Sequence, residues 1–320
     1  MAQQTLSEIK ALLAAFGLHP RHRFGQNFLH DAGKMQHILA AAELSPGEVV
    51  LEVGPGTGAL SVRLLEAGIR LVAVEIDRDL EPILRDQLCT PQQSPPTPVG
   101  GTCDLIIDDV LAGKHEINPR VWQALRIVGE LREGASGAET ATFKLVANLP
   151  YNIASPLIAN LLLAPYEALS RQLPATSPNP EPGTQDPEPS RPRLSLAVVM
   201  IQREVADRLT APPGGKDYGP LGVLVQAMCE VDRVTILSPG CFWPQPKVDS
   251  AVVRLRVRPQ PMTSDPPKFS AFLHRVFSKR RKQLGSILGR ATPLPADIDP
   301  QSRPEQLSVE QLIRLSDSIV

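Results

Sequence analysis

Residues 49–60 read V-V-L-E-V-G-P-G-T-G-A-L, an apolar pentapeptide that runs straight into three alternating glycines and then a helical pattern. A five-residue apolar run bounded by glycine reads as a strand buried on both faces. Close-spaced glycines let a backbone turn sharply and pass near a ligand, and the following helix points its free N–H groups at that place. The rest of the chain repeats the rhythm. Leu71–Glu75, Leu105–Ile107, Leu145–Asn148 and Leu196–Ile201 read as strands, with helical patterns after Ala59, Leu80 and Asn148. Strands alternating with helices predict a parallel sheet covered on both faces. Val231–Leu237 and Ala251–Val257 read as a closing strand pair around a proline-rich turn.

Ahead of the sheet, Leu6, Ile9, Leu12, Leu13 and Phe16 recur at helical spacing, and Asp31 is placed to cap a second helix reaching Ala42. Three stretches interrupt the rhythm. Residues 90–102 are rich in Pro, Gln and Gly; residues 112–142 are longer than a simple connection requires; residues 171–193 hold seven prolines among polar residues. The last is read as a disordered surface insertion, because such a composition buries too little to fold. After a second proline-rich break (259–267), helices are predicted over Phe269–Ser278, Lys279–Leu288 and Val309–Ile319.

Charge restricts little in bulk, with 33 basic against 34 acidic residues. Its distribution is more telling. Seven Lys or Arg and no acid lie between Pro266 and Ala296, including Lys279, Arg280, Arg281 and Lys282. A near-neutral chain with a basic region suits a polyanion such as RNA, the plain alternative being a solvated helix face. Arg203, in Q-R-E-V-A-D-R-L, and Lys247 are further basic candidates. Four scattered cysteines form neither a C-x-x-C pair nor a zinc spacing, so no metal is expected and a reducing, cytoplasmic setting is. No apolar run reaches membrane-spanning length, and Glu8 and Lys10 make the N-terminus a poor signal peptide.

The glycine turn alone leaves two cofactor readings open. Gly54, Gly56 and Ala59 fit G-x-G-x-x-A, the dinucleotide pattern, whereas Glu52 in the strand and Gly58 fit the E-x-G-x-G-x-G form suited to S-adenosylmethionine. Glu75, at the end of the next strand, is placed to accept two ribose hydroxyls in either case. The segment N-L-P-Y (148–151) carries a different chemistry. The exocyclic N6 of adenine is a poor nucleophile because its lone pair is delocalised into the ring. Two acceptors holding its hydrogens, the Asn148 side-chain oxygen and the Pro150 carbonyl, would favour a pyramidal nitrogen, and Tyr151 would stack on the base. The plain alternative is a strand-to-helix turn with a buried amide.

With these stretches in view, the chain resembles the bacterial rRNA adenine dimethyltransferases of the KsgA type. The matching pieces are F-G-Q-N-F-L-H-D (24–31), L-E-V-G-P-G-T-G (51–58), V-E-I-D (74–77), N-L-P-Y-N-I-A-S-P-L-I (148–158), Q-R-E-V-A-D-R-L (202–209), F-W-P-Q-P-K-V-D-S-A-V (242–252) and F-S-K-R-R-K-Q-L (277–284). The resemblance implies a Rossmann-like class I S-adenosylmethionine-dependent methyltransferase, α/β in class, with a catalytic domain over 1–257 and a small all-helical RNA-binding domain over 258–320. It implies that Gln26, Asn27 and Leu29 border the cofactor, that Gly54 and Gly56 take its amino-acid end, and that Glu75 holds its ribose. Asp109, with Asp108 as the competing choice, would bind its adenine. Asn148, Leu149, Pro150 and Tyr151 would form the target-base pocket, with Asn148 also bordering the cofactor and Phe242 as a second ring against the base. The implied substrate is a pair of adjacent adenosines in the 3′-terminal hairpin of 16S rRNA in the small ribosomal subunit, each dimethylated on N6 by a monomeric enzyme. Methylation of another RNA, as in 23S rRNA resistance methylases, and a non-catalytic RNA-binding assembly factor are the competing readings. Gly222, where the family commonly has serine, is expected to loosen a local turn.

Overall fold

In the computed structural model, the described residues are 4–89, 101–113, 116–130, 141–172, 191–289 and 291–319. Helices α1 (Leu6–Ala15) and α2 (Ala32–Ala42) precede strand β1 (Val49–Val53), helix α3 (Ala59–Glu66) and strand β2 (Arg70–Glu75). Helix α4 (Glu81–Cys89), strand β3 (Thr102–Ile107), helix α5 (Pro119–Glu130), strand β4 (Thr142–Asn148) and helix α6 (Ala154–Gln172) follow. Strand β5 (Arg193–Gln202) leads through α7 (Arg203–Leu209) and α8 (Pro220–Met228) to the strands β6 (Cys229–Leu237) and β7 (Ser250–Val257). Helices α9 (Pro266–Phe277), α10 (Leu284–Leu288) and α11 (Val309–Ser318) end the chain.

The seven strands form one sheet in the order β3-β2-β1-β4-β5-β7-β6. The first five pair in parallel, and β7 runs antiparallel to both its neighbours. Alternate residues build two cores. Leu51, Val53, Val72, Val74, Leu145, Ala147 and Val199 face α5, α6 and α8. Val50, Leu71, Ala73, Val146, Val198 and Met200 face α2 and α3. Both sides are apolar, which is why these strands read as continuous hydrophobic runs. The capping expected of Asp31 is present: its carboxylate accepts the Lys34 N–H at 2.9 Å. Helix α1 packs through Ile9 and Leu13 on Phe28, Leu80, Ile83 and Leu84, so it lies against the outer side of the α4 layer.

Two of the three interruptions acquire a partial account. Residues 112–142 contain a small hairpin (Leu111–Gly113 with Glu116–Ile117) and the amphipathic α5, whose Val121, Trp122 and Leu125 pack on the sheet. The length is that of a β–α–β crossover. In 171–193, residues Arg171 and Gln172 close α6 and Arg193 opens β5. The expected disorder concerns residues 173–190, which lie outside the described residues, as do 90–100 and 131–140.

The helix expected over Lys279–Leu288 is shorter. Ser278 ends α9, residues 279–282 form turns, and α10 starts only at Leu284. Four consecutive like charges disfavour a helical turn there. Beyond residue 257, Phe269, Phe272, Leu273 and Leu312 join the core built on α6 and α8, so the C-terminal helices and the sheet share one continuous apolar cluster.

Gly222 does not loosen a turn. It lies buried in the first turn of α8, where a Cβ would sit 2.2 Å from the Arg208 carbonyl oxygen of α7. The obstacle is backbone, so it cannot rotate away. Gly222→Ala is expected to destabilise the protein by about 3 kcal/mol, as overpacking against rigid neighbours does. Denaturant melts of the two proteins check this, and an unchanged midpoint would show that α7 and α8 separate freely.

Candidate active site at the carboxyl edge of the sheet

The strand order reverses between β1 and β4, and in open parallel sheets a crevice forms at the carboxyl edge of such a switch point. The glycine turn follows β1 and the N-L-P-Y segment follows β4, so the fold sets the two motifs side by side. Gly54 (φ 72°) would place a Cβ 3.4 Å from Pro150 Cδ, and at Gly56 (φ 61°) a Cβ would meet the Phe28 ring at 2.9 Å. Both positions combine a left-handed backbone with a close neighbour, which only glycine tolerates.

A cavity of about 280 Å³ opens between these turns. Its lining includes Gln26, Asn27, Leu29, Gly54, Gly56, Glu75, Asp108, Asp109, Asn148, Leu149, Pro150 and Tyr151. These are nearly all the positions singled out for cofactor and base. Phe242 is the exception. It is 1% exposed, packs in the core with Leu29 and Met200, and does not line the cavity. The cause is tertiary: Phe242–Trp243 pairs with Phe28–Leu29 as a short antiparallel ribbon, which turns the Phe242 ring into the core. In this structure Phe242 is therefore not a second ring against a base.

Two acids lie deep in the cavity wall. Glu75 is 4% exposed, and its carboxylate accepts the N–H of Gly56 at 3.1 Å and of Asp77 at 2.9 Å. Burial nonetheless pushes its carboxyl up to about 7. Glu52 is 1% exposed, and its Oε2 has no hydrogen-bond partner. Burial, with Glu75 adding repulsion, pushes it up to about 8. Asp108 and Asp109 stand at the end of β3. Asp108 accepts the Asp109 N–H at 2.9 Å and pairs with Arg120 at 3.1 Å, which holds its carboxyl below the usual range. Asp109 accepts the Leu111 N–H at 2.9 Å through one oxygen.

The N-terminal loop is tied down around the cavity. Gln26 accepts the Arg21 N–H at 2.7 Å and donates to Asp77 at 2.7 Å, so its amide holds the loop at the cavity wall. Arg21 pairs with Asp77 at 3.0 Å and with Asp79. Further out, Gln4 and Thr57 exchange two hydrogen bonds, at 3.2 and 2.8 Å, across the glycine turn. Arg21, Asp77 and the cavity-lining Ile76, which is 42% exposed, were not singled out by the sequence reading. The V-E-I-D match was the only signal that marked Ile76 and Asp77.

The N-L-P-Y side chains are oriented by their surroundings. Asn148 donates through Nδ2 to the Asn27 carbonyl at 2.9 Å. A carbonyl accepts only from a donor, so this contact fixes the amide and leaves Oδ1 as the free acceptor. The Pro150 carbonyl accepts the Ile153 N–H at 3.1 Å and retains its second lone pair. The Tyr151 hydroxyl shares a 2.8 Å hydrogen bond with Ser250, a fully buried serine at the start of β7. Of the basic candidates, Lys247, Lys279, Arg281 and Lys282 are exposed. Arg203 pairs with Asp249 at 3.3 Å. Arg280 is engaged internally, with Glu305 and with the carbonyls of Lys216 at 2.8 Å and Gly215 at 3.1 Å. Its guanidinium braces the C-terminal segment against the 212–218 loop, which takes up three of its five N–H groups. Among the described residues, no group of three or more His, Cys, Asp or Glu is placed to hold a metal, and no helix is long and apolar enough to cross a membrane.

Residues 17–319 match the model of the ribosomal RNA adenine dimethylase family. The chain belongs to that family. It is 36% identical over 307 residues to the ribosomal RNA small subunit methyltransferase A of Pseudomonas fluorescens, covering 93% of each chain. It is 34% identical over 325 residues to the protein of the same name from Pelotomaculum thermopropionicum, covering 98% of this chain and 95% of that one. Among solved structures it resembles a dimethyladenosine transferase from Plasmodium falciparum, with a TM-score of 0.61, 21% identity, and coverage of 90% of this chain and 95% of that one. It also resembles the 23S rRNA methyltransferase ErmE, with a TM-score of 0.58, 23% identity, and coverage of 92% and 99%. At those identities the two structures speak for the fold, a class I methyltransferase sheet.

The two buried carboxyls make stability depend on pH. A carboxyl raised by burial keeps a proton in the folded protein that the unfolded chain releases. The stability it contributes is complete below the ordinary value of 4.5 and declines as pH rises toward about 8. Glu52→Gln should therefore raise the melting temperature of the ligand-free protein at pH 8.5 and change it little at pH 5. An equal shift at both values would show that Glu52 is not protonated through burial.

Proposed function

We propose that the chain is an S-adenosylmethionine-dependent rRNA (adenine-N6,N6)-dimethyltransferase. Its substrate is the pair of adjacent adenosines in the 3′-terminal hairpin loop of 16S rRNA. It acts as a monomer on the small ribosomal subunit in the cytoplasm and serves ribosome biogenesis. The observation that carries the reading is the Asn148 amide, whose Nδ2 donates to the Asn27 carbonyl so that its oxygen is free to accept, as is the second lone pair of the Pro150 carbonyl. Two fixed acceptors suit an exocyclic amine. Near-full-length likeness to proteins named ribosomal RNA small subunit methyltransferase A supports the choice of RNA.

The polar groups of the cavity wall fit S-adenosylmethionine. Glu75 is suited to a pair of ribose hydroxyls, Asp109 or Asp108 to an adenine amino group, and the Gly54–Gly56 backbone to the amino-acid end. The unpartnered Glu52 oxygen suits a cationic ligand. When bound, this group supplies an electrophilic methyl. The chain's own residues do the remaining work. Asn148 Oδ1 and the Pro150 carbonyl accept from N6 and localise its lone pair. Tyr151, anchored by Ser250, offers its ring to the base. The tied N-terminal loop excludes water from one side. The work is positioning and fixed dipoles rather than base catalysis. We further propose that 1–257 carries catalysis, with RNA contacts at Arg203 and Lys247, and that 258–320 carries RNA contacts through Lys279, Arg281 and Lys282.

The test is methyl transfer from radiolabelled S-adenosylmethionine to small subunits lacking the modification. Label in N6,N6-dimethyladenosine confined to the 3′-terminal hairpin is expected, and label elsewhere or none would overturn the substrate assignment. Asn148→Ala should lower kcat by at least about a hundredfold, the scale of losing one preorganised electrostatic contact, while the thermal shift given by S-adenosylmethionine persists. Tyr151→Phe and Ser250→Ala should each slow transfer about tenfold or less, and the double variant should be no slower than either. Additive losses would show that the two hydroxyls act independently.

A further inference from the structure

The cavity wall is acidic. Glu52, Glu75, Asp108 and Asp109 line it, and among the described residues Arg23 is the one basic group that does. Arg23 is exposed at the rim, in a single 3₁₀ turn over His22–Phe24. Its guanidinium carbon stands 4.5 Å from the centroid of the Phe24 ring, and Phe24 also lines the cavity. Among the described residues no carboxylate pairs with Arg23, whereas Arg21, two positions earlier, is engaged by Asp77 and Asp79. The next residue, Gly25 (φ 64°), packs on the target-base segment: a Cβ there would lie 3.9 Å from Pro150 Cβ. The Asn27 carbonyl then holds Asn148. The turn carrying Arg23 is therefore fixed against the segment assigned to the base.

We infer that Arg23, stacked on Phe24, is a phosphate subsite that grips the RNA backbone next to the adenosine delivered to Asn148 and Tyr151. The inference rests on the base-site reading above. An adenosine leaving its stack brings a flanking phosphate to the rim of a cavity whose wall carries Asp108 and Asp109 as well as the buried Glu52 and Glu75. A cation at the rim offsets the repulsion from those carboxyls that carry charge. The Phe24 ring occupies one face of the guanidinium and leaves its N–H edges directed outward, where a fork can take two phosphate oxygens. An arginine held in this way is ordered before RNA arrives, so it loses little rotamer freedom on binding.

The experiment uses the full chain with Arg23→Ala and Arg23→Lys. S-adenosylmethionine binding is read from the thermal shift, and methyl transfer to unmodified small subunits gives KM and kcat. Salt dependence is read from binding of a short single-stranded RNA carrying two adjacent adenosines. For Arg23→Ala, an unchanged cofactor shift, a KM raised about tenfold and a log–log salt slope shallower by about one are expected. Arg23→Lys should restore the slope but only part of the affinity, because an ammonium lacks the fork. Loss of the cofactor's thermal shift in Arg23→Ala would overturn the inference and assign the arginine to the cofactor's carboxylate. Unchanged KM and slope would return it to a solvated rim residue. Failure of the wild-type chain to transfer methyl would sink the base-site reading, while the oligonucleotide salt slope would still judge Arg23 as a phosphate contact.

Discussion

The contact on which the site depends is between two loops that are far apart in sequence. Gly54, at the end of β1, presses against the Pro150 ring at the end of β4. The Asn27 carbonyl, from a third segment, takes the Asn148 amide. Glycine makes the first approach possible because nothing projects from it, and proline fills the vacated space with a ring that has no N–H to satisfy. Once these contacts exist, the acceptors of the β4 loop face the cavity and the glycine turn faces it from the other side. Moving either loop would separate the two halves of the chemistry.

Around that junction the molecule gathers carboxyl groups at some cost. Two buried carboxyls, Glu52 and Glu75, are pushed up to about 8 and about 7 by burial. Among the described residues neither gains a cationic partner. Such groups suit a ligand that brings positive charge and hydroxyl donors. The N-terminal segment reinforces the arrangement, since Arg21, Gln26 and Gln4 hold it to the turns after β2 and β1. One donor and one lone pair of the Gln26 amide serve this brace, which fixes the residue at the cavity wall.

The C-terminal helices form part of the same body. Tyr218 donates to the Leu307 carbonyl at 3.0 Å, and Arg280 braces the 212–218 loop against Glu305. Their apolar residues continue the cluster under α6 and α8. The basic residues that remain free, Lys279, Arg281 and Lys282, are thereby held at a fixed position relative to the cavity.

The amino-acid sequence by itself determined the strands, the parallel sheet, the glycine turn and the place of N-L-P-Y at the end of a strand, because these rest on local periodicity and on residues whose backbone or hydrogen-bonding options are few. It also marked Asn148, Glu75 and Tyr151, whose side chains carry their chemistry with them. Only the tertiary structure decided what those side chains face. Phe242 looked like a stacking ring and became core, because a two-residue ribbon with Phe28–Leu29 turns it inward. Arg280 looked like a phosphate ligand and became a brace, because Glu305 reaches it from 25 positions away in the chain. Gly222 looked like a loosened turn and proved to be the point where α7 touches α8. In each case the deciding partner is remote in sequence, and an aromatic ring, a guanidinium or a glycine has no preference of its own until that partner arrives.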